Sequence, residues 1–241
     1  MTHWLVVGGN SDIALSVLRR IPTGDVSRIT LTGRNQQELE RRGRDLQSRL
    51  GCEVVLHAAD LTDSQAMDSL AAEIDVPDVL LLAAGELMDT EDLAQEPARL
   101  RSTLRINFEA LLCLTETLVP RMIAAGGGMV VVLNSVAGLR GRPSNYVYGA
   151  TKAGLTAYFE GLRLRYADQS LRVLNVLNGM VATKMTANRA LPQALLAAPD
   201  VVAEKVHRAM RSGRSQVYAP WYWRWVMLVI RFAPGFVVKR L

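Results

Sequence analysis

At 241 residues the chain suits one large domain and falls short of two, and with 49% hydrophobic against 21% charged residues it can bury a sizeable core, which excludes a disordered chain. Two cysteines, Cys52 and Cys113, with no CxxC pair and no histidine beside either, argue against a disulfide framework or structural zinc and read as core thiols in a reducing cytosol. The net charge of +5 is uneven: no acid follows Glu204 while eight basic residues do, so the excess belongs to the tail and not to a nucleic-acid-reading face.

The chain opens MTHWLVVGG, with no charged segment ahead of a long apolar run, so no cleaved export signal is expected and the localisation reads as cytoplasmic. Short apolar runs then alternate with longer amphipathic stretches. Residues 4–7, 28–31, 53–56, 79–83, 129–133, 172–177 and 216–219 read as strands, with helices between them. The runs are apolar on both faces, as in a parallel sheet covered by helices on each side, and the intervening segments are long enough for right-handed crossovers. The predicted fold is therefore α/β, a single doubly wound parallel sheet of the Rossmann type. Ser11 or Asn10 is placed to cap the first helix, and glycines at 126–128 stop the helix before the fifth strand. With no repeat and no flexible linker, residues 1–220 read as one dinucleotide-binding and catalytic domain, followed by an apolar and basic tail over 221–241.

The first strand runs directly into Gly8, Gly9, Asn10, Ser11, Asp12, Ile13 and Ala14 and then a helix. Strand, tight turn and helix N-terminus together present backbone N–H groups to a pyrophosphate. The second strand ends in Thr32, Gly33, Arg34 and Asn35, where an acid would favour NAD. Gly33 stands at the position of that acid, and Arg34 beside it carries a fork suited to a 2′-phosphate, which points to NADP(H).

Tyr148 and Lys152 lie four apart at the start of a helical pattern and so share one face. A phenol is a poor proton shuttle near neutrality, and a nearby cation lowers its pKa, a task for which Lys152 is placed. Ser135 follows the fifth strand, at the carboxyl end of the sheet where such folds bind ligands.

With Ser135 thirteen residues before Tyr148 and the glycine turn at the N-terminus, the sequence resembles the short-chain dehydrogenase/reductase family over residues 3–220. The resemblance implies that Tyr148 is the general acid/base, that Lys152 tunes it and holds the nicotinamide ribose, that Ser135 polarises the carbonyl, and that Asn107 supports a water relay. It also implies that Asp60 and Leu61 contact the adenine, that Ala84 and Gly85 lie along the cofactor, and that Gly179, Val181 and Thr183 meet the nicotinamide end. Three features depart from the family pattern. The glycine loop is one residue short, with Ala14 in place of its last glycine; the stretch Leu82, Ala83, Ala84, Gly85 lacks the customary Asn; and Asn178 replaces a Pro. They bear on the grip on the cofactor, not on the reaction class.

Three histidines, His3, His57 and His207, have no partner motif and read as structural or exposed, and the acids Glu86, Asp89, Glu91 and Asp92 read as a solvated loop. No metal site is expected. The tail WYWRWVMLVIRFAPGFVVKRL holds three of the four tryptophans, and its apolar run is too short to cross a bilayer, which takes about 20 residues. Three roles are open to it: seating the protein on an anionic membrane surface, covering the substrate pocket, or making a subunit contact. Tail and Tyr148 segment together resemble a subgroup that includes the decaprenylphosphoryl-2-keto-ribose reductases, which act on a lipid-linked keto-sugar. The expected function is NADPH-dependent reduction of a lipid-linked or apolar ketone, in a homodimer or homotetramer. The alternatives are a soluble reductase of a small ketone or 3-oxoacyl thioester, and a non-catalytic NADP-sensing protein.

Overall fold

The structure, a computed structural model, describes residues 2–88, 96–187, 189 and 191–239. Strands β1 (Thr2–Val7), β2 (Val26–Gly33), β3 (Glu53–Ala58), β4 (Val79–Leu82), β5 (Gly128–Ser135), β6 (Leu171–Asn178) and β7 (Gln216–Ala219) form one parallel sheet in the order β3-β2-β1-β4-β5-β6-β7. All seven predicted strands are present, and several run past their apolar cores because the ladder continues: Thr32 pairs with His57 and Ser135 with Asn178.

Alternate strand residues feed two cores. On one face Val6, Leu31, Val131 and Val176 pack under α1 (Asp12–Leu18), α2 (Gln36–Leu50) and α7 (Pro199–Arg211). On the other, Leu5, Val7, Leu80 and Val130 pack under α3 (Ser64–Glu73), α5 (Ala110–Ala124) and α6 (Tyr146–Arg165). Helix α4 (Pro97–Leu104) joins α5 through a π turn, Arg105–Glu109. The strand order reverses at the β1–β4 pair, which opens a crevice at their carboxyl ends.

Ser11 caps α1, its hydroxyl accepting from Ala14 N–H at 3.3 Å, while Asn10 instead donates to the Asn35 carbonyl at 3.3 Å. The glycines at 126 and 127 follow α5 with positive φ of 108° and 109°, as a helix stop requires. The cysteines need correction: Cys52 is buried, but Cys113 is exposed on α5, whose inward positions belong to Leu111 and Leu114. His3 bonds Thr30 Oγ1 at 2.9 Å and His207 the Val17 carbonyl at 2.8 Å. Of the acidic run, Asp89, Glu91 and Asp92 lie outside the described residues, as do Arg240 and Leu241 at the tail's end.

Beyond β7, α8 (Trp223–Phe232) and α9 (Gly235–Val238) complete the chain. Trp223 and Met227, one turn apart, pack against Val136 and Leu177, which fastens the tail to the carboxyl edge of the sheet. Trp221, Trp225, Leu228, Val229, Phe232 and Phe236 stay exposed on the outer side.

Candidate active site

The turn after β1 is built by close approach. Gly8 takes φ +94°, and a Cβ there would stand 2.5 Å from the Ala84 nitrogen, so only glycine lets the loops after β1 and β4 touch. Arg42, a buried guanidinium on α2, holds this turn from behind. It donates to the Ser11 carbonyl at 2.7 Å, Asp12 Oδ1 at 2.7 Å and Glu38 Oε1 at 2.8 Å. Asp12 Oδ2 also accepts from Lys184 N–H at 2.8 Å, and Lys184 Nζ donates to Glu38 at 2.7 Å. Ringed by Arg41, Lys184 and Arg42, the Glu38 carboxyl is held well below the usual carboxylate range. Sequence reasoning missed Arg42 because α2 is rich in arginine; its spacing of four from Glu38 is the one local signal.

At the end of β2, the space a Gly33 Cβ would need is filled by the Asn10 side chain, so no acid can stand there without displacing it. Arg34 follows, lining the cavity near Asp60. Asp60 accepts from the Thr62 backbone N–H and hydroxyl, each at 2.9 Å; these bonds and the charge of Arg34 lower its pKa.

At the centre, Ser135 closes β5 and Tyr148 and Lys152 lie on the first turns of α6. Lys152 Nζ is 5.4 Å from the Tyr148 ring centroid. Burial pushes the Tyr148 phenol up and its hydrogen bond with Ser135 pulls it back; burial also pushes the Lys152 ammonium down, to about 8. Burial thus leaves the Tyr148 pKa raised, where the spacing from Lys152 predicts a lowered one. Tyr146, the other tyrosine of the segment, is 51% exposed and does not line the cavity.

Asn107 is fully buried in the π turn, a distortion typical of functional positions. Both ends of its amide engage Glu86, accepting from its N–H at 2.7 Å and donating to its carbonyl at 2.8 Å. A Cβ on Gly85 would lie 3.2 Å from Asn107 Oδ1 and 3.4 Å from Lys152 Nζ, so this asparagine and the lysine flank one glycine. Asn134, also missed in the sequence, donates to the Lys152 carbonyl at 3.2 Å and accepts from Ser135 N–H at 2.8 Å. Asn178 donates to the Asn134 carbonyl at 2.9 Å, a bond the customary proline lacks.

These groups share one cavity of about 940 Å³. Of the candidate residues, Asn10, Ser11, Asp12, Ile13, Leu61, Ala84, Gly179, Val181 and Thr183 also line it. Gly9 and Asn107 do not: the missing Gly9 side chain faces Leu39 and Leu31, and Asn107 sits behind Gly85. From Arg34 and Asp60 beside β2 and β3, the cavity reaches Trp223, Val226 and Ile230 of α8, beyond β7 at the opposite sheet edge. Trp223 lies against the Gly179 backbone where a Cβ would stand, with its buried Nε1 unpartnered. Among the described residues no cluster of His, Cys, Asp or Glu is arranged to hold a metal, and no helix is long and apolar enough to cross a membrane.

Residues 2–194 match the family described as short chain dehydrogenase. An uncharacterised oxidoreductase of Mycobacterium tuberculosis is 31% identical over 98% of this chain and 96% of its own length. A 3-oxoacyl-[acyl-carrier-protein] reductase of Rickettsia bellii is 25% identical over 76% of this chain and 73% of its own. Among solved structures, a short-chain dehydrogenase from Sphingobium yanoikuyae in complex with NADPH superposes with a TM-score of 0.85 at 20% identity, covering 98% of this chain and 97% of that one.

Proposed function

Since this chain belongs to the short-chain dehydrogenase/reductase family and is an oxidoreductase of that type, we propose that it reduces a ketone to a secondary alcohol with NADPH, using Tyr148 as the proton donor. The observation that carries this reading is the shared cavity, in which a Ser135, Tyr148 and Lys152 cluster meets a glycine turn at a helix N-terminus. The residues fit the cofactor. The N-terminal amides of α1 would hold a pyrophosphate, Arg34 a 2′-phosphate beside Gly33, which carries no acid to repel it, and Asp60 and Leu61 the adenine. The neighbour in complex with NADPH supports NADPH as the cofactor.

When bound, NADPH supplies the hydride. The protein's own part is proton delivery and charge stabilisation. A buried, neutral Tyr148 phenol keeps its proton near pH 7 and gives it to the oxygen that becomes the alcohol. Ser135 Oγ hydrogen-bonds that oxygen, and Lys152, still mostly protonated at neutral pH, supplies the positive field and a donor for the nicotinamide ribose. Asn107 acts one step back, fixing Glu86 and thereby the Gly85 loop.

In the proposed division, residues 1–220 are the catalytic domain, and the 221–241 tail both walls the substrate end and seats the protein on an anionic membrane. Exposed Trp221, Trp225, Val229, Phe232 and Phe236 support the seating, with Arg224, Arg231 and Lys239 among them and no acid after Glu204. The substrate is then a lipid-linked or otherwise apolar ketone, in keeping with the resemblance to the keto-ribose reductase subgroup. A soluble 3-oxoacyl-thioester reductase is the second reading, favoured by the Rickettsia relative. A turnover screen with NADPH over ketones of graded lipophilicity, with and without detergent, separates them. Turnover rising with lipophilicity supports the first reading, preference for a 3-oxoacyl thioester the second, and a flat response throughout contradicts reductase activity.

A further inference from the structure

We propose that Arg142 receives an anionic group, a carboxylate or a phosphate, carried by the ketone substrate. This rests on the reductase reading and supplies the substrate chemistry that reading leaves open. Arg142 stands just before the short turn Pro143–Asn145 that leads into α6, six residues ahead of Tyr148, and lines the same cavity. Its Nε is buried without a hydrogen-bond partner, and no carboxylate among the described residues pairs with its guanidinium. That is unlike Arg28, Arg42 and Arg208, each of which holds an acid. Burial alone pushes its pKa down, the mark of a cation that has lost water and gained no counter-charge.

A guanidinium whose Nε is buried without a partner forgoes a hydrogen bond it had in water, and an anion that meets its fork in two parallel hydrogen bonds restores it. Its neighbour Arg140 differs: it reaches the Ala233 carbonyl beyond α8 at 3.4 Å and so is engaged by the protein itself. Asn145, three residues beyond Arg142, also has a buried side-chain oxygen without a partner in this cavity; turned over, its amide offers an N–H to the same anion. The cofactor's phosphates are provided for elsewhere, by the turn after β1 and by Arg34. The same cavity is walled by Leu191, Leu195, Trp223, Val226 and Ile230, so the anion comes attached to an apolar body. The substrate class is an amphiphilic keto-anion.

The test uses three probes with one ketone and one chain: 10-oxoundecanoate, its methyl ester, and 10-oxoundecyl phosphate. Binding to the NADP⁺-loaded protein is read from tryptophan fluorescence, and turnover from NADPH consumption. Wild type should bind at least one anion about tenfold or more tightly than the ester, the preferred one identifying the group as carboxylate or phosphate. Arg142→Gln should remove that preference through affinity and KM, lowering anion affinity far more than ester affinity while NADPH affinity is kept, and Arg142→Lys should restore part of it. Equal binding of anions and ester by wild type overturns the proposal, as does an Arg142→Gln protein that keeps the preference or loses NADPH as well. An anion preference that depends on Arg142 without reduction of any probe leaves this site standing and counts against the reductase reading. Reduction of the ester with no effect of Arg142→Gln on any probe does the reverse.

Discussion

The two ends of the cavity treat their polar groups in opposite ways. Around the turn after β1, Arg42, Asp12, Glu38 and Lys184 satisfy one another within 2.8 Å, and the loop they support is set before any ligand arrives. At the other end, Arg142 Nε, Asn145 Oδ1, Asn178 Oδ1 and Trp223 Nε1 are buried with no partner. A folded protein leaves few such atoms, because each one forgoes a hydrogen bond it had in water. In the proposed reading, the difference separates a preset cradle for the cofactor from a substrate end where Arg142 and Asn145 are completed by the ligand's anion.

The largest effect is expected from breaking the cradle. Arg42→Met leaves Asp12 without its cation and Glu38 with two of its three, and should cost about 1–3 kcal/mol, read as a lower thermal midpoint together with weaker NADPH binding. Unchanged stability and affinity would mean the ion cluster is incidental. Next comes a pH difference. The unfolded Lys152 titrates at 10.5 and the folded one at about 8, so its burial opposes folding fully below pH 8, and the opposition fades as pH rises from about 8 towards 10.5. Lys152→Met should therefore be the more stable protein at neutral pH, by a margin that narrows through that window; a constant margin contradicts the buried cation. Arg34→Ala should weaken NADPH by roughly ten- to a hundredfold and leave NADH nearly unchanged, as cofactor titrations would show. The smallest effect belongs to the substrate end. Trp223→Phe removes an unpartnered donor while keeping a ring, so a change within about 1 kcal/mol is expected in thermal unfolding, with NADPH affinity intact. A loss on the scale of Arg42→Met would show that the two ends are built alike.

Most of the architecture was legible in the sequence because each strand is apolar on both faces, which a parallel sheet requires, and because turn glycines punctuate the helices. Tyr148 and Lys152 were legible because helical spacing is local, and Ser135 because it ends an apolar run. Arg42 was not: its partners Ser11 and Asp12 lie about 30 positions away, and its one local signal, the spacing of four from Glu38, is weak on a helix rich in arginine. The pairing of Asn134 with Asn178 is likewise a product of strand register. The tail was only half legible. Three roles were left open for its aromatic run, and only the packing shows that Trp223 and Met227 turn inward while Trp221 and Trp225 stay outside. The cysteines show the same limit, since composition alone could not say which face of α5 carried Cys113.

Tyr148→Phe, compared with wild type for both NADPH binding and ketone turnover, tests the central claim most directly. The ring still packs, so cofactor affinity should stay within about twofold, while turnover should fall by about 10²–10⁴ for want of the proton donor. A variant that binds NADPH and reduces the same ketone at near the wild-type rate would contradict the assignment of Tyr148 as the acid.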